Sequence, residues 1–246
     1  MTRPAYAPGD GVLALDQPHL RALVDRAAGR PVDPGVARAL DDAGLLAEGG
    51  VDPPVGPIVA ALGGAGRRLR LTSRRRGALT VATAAVGRSG AALVVLAPGG
   101  GALHVRYLSL GGLARHLARR VGVGRLAEGG GAGPPATAEV AAWGDLVRAF
   151  GTRSPSGWAA AWREAELHEL RWVAEPGAPA RTALVTAVLD GHLVEVGPGD
   201  GGRYVVAPAD PVGVWARVRR CVSGGPGLCG GPPPPPPGRG AGPGTG

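Results

Sequence analysis

The chain has 246 residues and a net charge of +8 at neutral pH, and every positive side chain outside histidine is arginine. Gly (45) and Pro (25) exceed a quarter of the residues, whereas aromatic residues make up 4%. The longest apolar run, residues 91–97, is far shorter than the roughly 20 residues of a membrane-spanning helix. Two cysteines, Cys221 and Cys229, are too few for a zinc site. We therefore expect a cytoplasmic protein with one large core or two small ones.

The first sixty residues are predicted to be helical. Asp16, Asp33 and Asp52 each precede an apolar stripe with helical spacing, and aspartate is a favoured N-cap residue. Asp33 and Asp52 are followed directly by proline, which suits the first helical turn. Pro57 lies inside the third predicted helix, so we expect that helix to be short or kinked.

Four strands and a helix are predicted next. The strands are residues 67–73, 78–86, 91–97 and 102–108, and the Gly-rich links between them have the length of hairpin turns. Such short links favour an antiparallel meander, because parallel strands need longer crossovers. Ser109 then caps a helix whose apolar stripe is Leu113, Leu117 and Val121.

A second series follows a Gly/Pro-rich break at residues 128–135. Helices are predicted at 137–150, where Thr137 begins an imperfect capping box, and at 156–166. Strands are predicted at 167–173, 180–189, 192–196 and 203–207, and Asp210 caps a last helix with the stripe Val214, Val218 and Val222. Residues 223–246 are too rich in Gly and Pro to bury apolar surface, which predicts a disordered tail.

The two series align without gaps at an offset of 101 residues, with about eight identities over roughly thirty-two positions. Val95 then aligns with Val196, Val105 with Val206, and the capping residue Ser109 with Asp210. The predicted fold class is α+β, with two antiparallel β-meander-plus-helix halves related by a pseudo-twofold axis. We expect one domain at 1–222, with halves at about 15–127 and 137–222, and a tail at 223–246.

Catalytic motifs are weak. Residues 197–202, GPGDGG, have the spacing of a dinucleotide-binding loop, but a strand follows where that loop needs a helix N-terminus. His168 and Glu169 begin a zincin-like pattern, yet the second histidine is replaced by Trp172. No serine lies in a G-x-S-x-G elbow. We expect no catalytic residues, no metal and no cofactor; an enzyme whose site has no recognisable motif stays a third alternative.

The basic run RRLRLTSRRR, residues 67–76, has two interpretations. It is either an anion-binding surface, for nucleic acid or an acidic protein, or the solvated face of an edge strand whose charges prevent aggregation. Nucleic-acid modules usually place aromatic residues among such charges, and this run has none. The solvated edge strand is favoured, and a nucleic-acid-associated regulator remains the alternative function.

The layout of residues 15–222 resembles the EspG family, the cytosolic chaperones of actinobacterial type VII secretion. The resemblance rests on residues 37–71 and on the closing strand and helix at 203–218, with Pro208, Asp210, Pro211 and Trp215. It implies a pseudo-twofold α/β protein that binds the helical tip of a secreted PE–PPE heterodimer and keeps that tip soluble. The compact turn at 87–91 and the Pro-rich tail depart from the family, and the oligomeric state is left open.

Two hairpin tips of the first half are the candidate contacts with a partner protein. They comprise Arg74, Arg75, Arg76 and Gly77 in one tip and Arg88, Ser89 and Gly90 in the other. Both tips are expected to be exposed and basic, and close together if the meander is correct.

Overall fold

A computed structural model describes residues 3–48, 50–75, 78–97, 100–124, 138–140, 166–173, 181–189, 192–198 and 204–224. Most strands of this part of the chain form one antiparallel sheet of eleven strands. They are β1 (Ala5–Ala7), β2 (Val12–Leu15), β5 (Arg67–Arg75), β6 (Ala78–Val86), β7 (Ala91–Leu96), β8 (Leu103–Leu108), β9 (Ala138–Val140), β10 (Glu166–Val173), β11 (Arg181–Leu189), β12 (His192–Pro198) and β13 (Tyr204–Pro208). A separate hairpin joins β3 (Leu46–Ala47) to β4 (Gly50–Val51).

Five helices lie in the described ranges: α1 (Gln17–Ala27), α2 (Pro34–Asp41), α3 (Gly56–Gly63), α4 (Leu110–Arg120) and α5 (Pro211–Ser223). Four have the capping residue that the sequence predicts. Asp16, Asp33, Ser109 and Asp210 each accept a hydrogen bond from a backbone N–H in the first turn of the helix that follows. Such caps form because the first four N–H groups of a helix have no partner within it.

The third helix begins later than predicted. Asp52 does not cap it; the N-cap position is Val55, which makes no side-chain bond, and Pro57 lies in the first turn. Proline is tolerated there because its missing N–H would have had no helical partner. The prediction of an Asp52 cap is wrong. The helix is short, with eight residues, as Pro57 led us to expect.

The N-terminal region is not purely helical. β1 and β2 form a hairpin before α1, and β2 pairs with β8, so the hairpin extends the sheet beyond the predicted meander. The turn between them contains Gly11 with a φ of 60°, a conformation that glycine adopts without strain. These strands are three and four residues long, too short for their alternation to stand out in the sequence.

The helix predicted at 137–150 is also wrong at its start. Residues 138–140 form β9, which pairs with β13 at the edge of the sheet. An edge strand offers a row of unpaired N–H and C=O groups, and pairing with it overrides a local helical pattern. Residues 141–150, most of the second predicted helix (156–165) and the predicted tail beyond Gly224 lie outside the described residues.

The core forms on both faces of the sheet. On one face, α4 and α5 pack beside each other over the central strands, burying Leu71, Leu117, Leu170 and Val218. On the opposite face, α3 covers part of β6, β7 and β8, and α1 packs against α3. The helices α4 and α5 therefore cover the centre of the sheet on one face, and the N-terminal helices cover part of the first half on the other face.

The strand order has the same sequence of neighbours on either side of the central β5–β10 pair. It runs outward as β5-β6-β7-β8 in one direction and β10-β11-β12-β13 in the other, with α4 and α5 following the last strand of each series. The stripes Leu113, Leu117, Val121 and Val214, Val218, Val222 are all buried in the cluster that joins the two helices to the sheet.

The gap-free alignment fails in one strand. Val95 packs toward α4 and α5, whereas Val196 belongs to a cluster on the other face of the sheet. A one-residue difference in register reverses which face a side chain occupies, so Val95 and Val196 are not equivalent. Val105 and Val206 both face away from α4 and α5, as an offset of 101 residues requires.

Candidate partner-binding surface

The two predicted hairpin tips lie at opposite ends of one strand. Arg75 pairs with Ala78 at one end of β6, and Val86 pairs with Ala91 at the other, next to Arg88. A nine-residue strand rises roughly 3.3 Å per residue, which separates its ends by about 27 Å. The expectation that the tips lie close together is wrong, because successive hairpins of a meander turn at opposite ends.

Gly90 is a structural residue. It is buried, and a Cβ atom there would lie 2.2 Å from the Tyr107 hydroxyl oxygen. Glycine is needed where a side chain approaches the backbone this closely. Of its neighbours, Arg88 and Ser89 are exposed, whereas Arg76 and Gly77 of the other tip lie outside the described residues.

The basic run lies in a central strand. β5 pairs with β6 on one side and β10 on the other, so the interpretation as an edge strand is wrong. Strand alternation buries Leu69, Leu71 and Ser73 toward α4 and α5. Arg68, Arg70 and Arg74 alternate with them and face the other way, where Arg68 and Arg70 are exposed. The charges therefore form a row along the middle of the sheet.

The neighbouring strand β10 adds one more positive group and one acid. Arg171 pairs directly with Arg70, and its Nη2 lies 2.5 Å from Oε1 of Glu169. Thr182 donates a second hydrogen bond to the same Glu169 oxygen, at 3.3 Å. Glu169 therefore neutralises Arg171 and leaves the charges of Arg68 and Arg70 without a described acidic partner.

Exposed leucines complete this surface. Leu79 pairs with Arg74 and is 53% exposed, and Leu96, on the same face of β7, is 46% exposed. The N-terminal helices cover Ala85 and Ala92 farther along the same strands but do not reach these leucines. We call the surface the open face; it consists of Arg68, Arg70, Arg74, Arg171, Leu79 and Leu96.

The sequence did not single out the leucines. Both belong to predicted strands, and alternation alone assigns them to a face without showing which part of that face a helix covers. Their exposure depends on where α1 and α3 end over the sheet. Exposed apolar side chains beside unpaired charges are typical of a protein-binding surface, since an apolar contact gives affinity and the charges orient the partner.

A buried serine–histidine pair lies on the helix side of the sheet. Ser73 Oγ and His168 Nδ1 are 2.9 Å apart, and both residues are almost fully buried. The cavity beside Ser73 has a volume of about 10 Å³. That is roughly the room of one water molecule, so the described cavity does not admit a substrate to this pair.

The described ranges hold neither a metal-binding cluster nor a membrane-spanning helix. No three His, Cys, Asp or Glu side chains there come together in a way that would hold a metal ion. None of the described helices combines the length and the apolar character that crossing a membrane requires.

Comparison with known proteins gives a likeness of fold. No family model matches the chain, and no curated protein matches it in sequence. Among solved structures, the chain is similar to the Mycobacterium tuberculosis type VII secretion system chaperone EspG5, solved in complex with a PE25–PPE41 dimer. The TM-score is 0.52 at 12% identity, and the match covers 85% of this chain and 94% of that chain. The described fold is thus loosely similar to that of a type VII secretion chaperone.

Proposed function

We propose that this protein is an EspG-like chaperone of type VII secretion that binds a secreted helical protein pair of the PE–PPE kind in the cytoplasm. The observation that carries the proposal is the open face, a central sheet surface with exposed leucines and arginines. The likeness to EspG5, which was solved with its PE25–PPE41 dimer, supports it at the level of fold.

The proposal includes a pseudo-twofold relation between the two halves. It is supported by the mirrored strand order about the β5–β10 pair and by the equivalent capping bonds of Ser109 to Gly112 N and Asp210 to Gly213 N. Such an axis would pass through the centre of the sheet, near the pairing of Leu71 with Leu170. The open face then lies across the junction of the halves, where both contribute side chains.

The expected mechanism is non-covalent. The apolar tip of the client packs on Leu79 and Leu96, and its acidic or carbonyl groups accept hydrogen bonds from Arg68, Arg70 and Arg74. Covering the tip removes apolar surface from water and so prevents the client from aggregating. A β-sheet provides a rigid platform, so little conformational entropy is lost when the partner binds.

The nucleic-acid alternative lacks support. The described tryptophans are not on the open face: Trp172 is buried on the α4–α5 side and Trp215 lies on α5. Single-stranded nucleic acids are usually bound by stacking bases on aromatic rings between the charges. A salt titration separates the two functions, because a polyanion complex weakens steeply between low and physiological salt and an apolar interface does not.

The test begins with purification of the tagged chain from its native cells and identification of a co-purifying helical pair. That pair is then co-expressed with the wild-type chain or with the double variant Arg70→Glu/Leu79→Asp, and its soluble fraction is measured. The matched control is Arg219→Glu/Val212→Asp, which also reverses one exposed arginine charge and replaces one exposed apolar side chain with aspartate, but on α5, where Val212 is 72% exposed.

We expect the wild-type chain and the control to keep the pair soluble and the open-face variant to lose at least half of the soluble pair. If both variants lose the same fraction of the soluble pair, the open face is not the binding surface. A pair whose solubility is the same with and without the chain would contradict the chaperone function itself.

A further inference from the structure

A basic cavity lies between α4 and α5, on the side of the sheet opposite the open face. Its volume is about 670 Å³, and its lining includes Arg115, Arg119, Arg120, His116 and Trp215. Pockets for small organic ligands usually have volumes of roughly 300–1,000 Å³. The cavity is therefore large enough for such a ligand.

The positive charges of this cavity have no described counter-charge. None of the ion pairs in the described ranges involves Arg115, Arg119 or Arg120. Arg106 of β8 adds a fourth guanidinium, which lies 3.1 Å from His116. The positive charges of Arg106, Arg119 and Arg120 all act on His116, and the same charges would attract a bound anion.

His116 responds to this field. Burial, followed by the positive charges of Arg106, Arg120 and Arg119, lowers its pKa to about 4. The ring is therefore neutral near pH 7. Because Arg106 Nη2 donates to Nδ1, the ring proton lies on Nε2 and remains a hydrogen-bond donor. The charged groups that act on His116 come from α4 and β8, and α5 contributes the ring of Trp215 to the cavity.

Arg217 lies 101 positions after His116, and its partner in the sheet has the opposite charge to the partner of His116. Arg217 of α5 forms a two-point ion pair with Glu195 of β12. The fold thus neutralises the positive group on α5 with an acid from the sheet, whereas on α4 the sheet contributes another arginine. Of these two positions, only His116 lies beside a positive group that has no described acidic partner.

We infer that this cavity binds a phosphorylated small molecule with an aromatic or apolar body, of the nucleotide class. Arginine matches phosphate with its planar fork, and three lining arginines balance two or more phosphates better than one carboxylate. Trp215, Ala118 and Val123 form the apolar part of the lining against which a base would lie. The inference does not depend on the open face and goes beyond the proposed function.

Calorimetry on the full chain tests the inference with three probes: ATP without magnesium, inorganic tripolyphosphate, which lacks the base, and adenosine, which lacks the phosphates. The double variant Arg115→Gln/Arg119→Gln should lose at least tenfold in affinity for ATP and tripolyphosphate. The matched control Arg219→Gln/Arg220→Gln removes two charges that are also exposed, but from α5, and should change either affinity less than twofold.

Two measurements distinguish binding of the nucleotide in this cavity from general attraction of an anion to a basic protein. Trp215→Leu should weaken ATP binding and leave tripolyphosphate binding unchanged. NMR titration of the His116 ring, assigned with His116→Gln, should show its pKa rising above 4 when ATP is bound, because the phosphates offset the arginine charges.

Equal loss in the α4 and α5 double variants would overturn the inference, and so would adenosine binding as tightly as ATP. An unchanged His116 pKa at saturating ATP would also overturn it, since the anion would then be bound elsewhere. Circular dichroism of each variant confirms folding, which is expected because the substituted arginines are exposed.

Discussion

The helices α4 and α5 each follow the last strand of one series, yet their polar contacts with the strands differ in sign. On α5, Arg217 is paired with Glu195, whose hydrogen bonds raise the pKa of the guanidinium. On α4, His116 meets Arg106, and burial and positive charge lower its pKa to about 4. The strand residue beside Arg217 is an acid, whereas the strand residue beside His116 carries another positive charge.

The difference shows that the shared apolar stripe and the polar contacts have separate roles. Both stripes are fully buried, so both helices are held to the sheet by apolar packing. The polar contacts can then differ without changing the packing. The charge imbalance beside His116 is the observation from which the anion-binding cavity is proposed.

The largest expected effect concerns the stripes. Leu117→Ala removes a fully buried side chain from the middle of α4 and should lower the free energy of unfolding by about 3 kcal/mol. Val218→Ala at the corresponding position of α5 removes fewer atoms and should cost about 2 kcal/mol. Urea denaturation measures both. Two-step unfolding, with only one step shifted by each variant, would show that the halves do not share one core.

The N-caps give the next effect. Asp210 accepts hydrogen bonds from Val212 N and Gly213 N, and Ser109 accepts one from Gly112 N. Asp210→Ala should cost about 1.5 kcal/mol and Ser109→Ala about 1 kcal/mol, since a charged cap also interacts with the helix dipole. The midpoint of thermal unfolding reports both losses. A larger loss for Ser109→Ala would contradict this order.

The Arg217–Glu195 ion pair gives a smaller effect, and it tests directly whether the polar contacts of α5 and α4 differ in sign. Glu195→Gln leaves Arg217 without its acid and should cost about 1 kcal/mol at low salt, because the pair is about one-third exposed. Arg106→Gln removes one of the positive charges that act on His116 together with Arg119 and Arg120, and it should leave stability unchanged or raise it slightly. Both effects should shrink in 1 M salt. If Arg106→Gln lowered stability as much as Glu195→Gln, the contact of Arg106 with His116 would be as stabilising as the ion pair, which contradicts the contrast between the two helices.

The smallest effect is a dependence on pH. His116 has a pKa of about 4 in the folded chain and about 6.5 when unfolded, so between these values the unfolded chain binds more protons. Stability therefore falls as pH falls from about 6.5 to about 4. His116→Gln should flatten this part of the stability profile, measured by urea denaturation at several pH values. The same slope in the variant and the wild type would contradict the lowered pKa.

Much of the fold could be predicted from local patterns. The capping residues Asp16, Asp33, Ser109 and Asp210 were identified because a short polar side chain before an apolar stripe has one favoured use. The strands of the central meander were predicted because their alternation is long and their turns are rich in glycine. The short strands β1, β2 and β9 were missed because they form by pairing with a neighbouring edge.

The candidate site was predicted less well. Arg74 and Arg75 were predicted to lie in a hairpin tip but form the end of β5, and their grouping with Arg88 and Gly90 was wrong because a meander sends successive tips to opposite ends. Leu79 and Leu96 were missed because exposure of a strand residue depends on where another element stops. The cavity beside His116 was missed for the same reason, since its walls come from α4 and α5, about a hundred residues apart.

The sequence by itself determined the antiparallel strands, the capped helices and the two buried helical stripes, because each depends on residues within one or two turns or hairpins. Tertiary structure alone decided that β5 is central, that the arginines lie beside exposed leucines, and that the sheet places Arg106 beside His116 of α4 and Glu195 beside Arg217 of α5. The physical reason is range: hydrogen-bond capping and alternation act between near neighbours. Burial and electrostatic fields, in contrast, depend on every element that folds around a group.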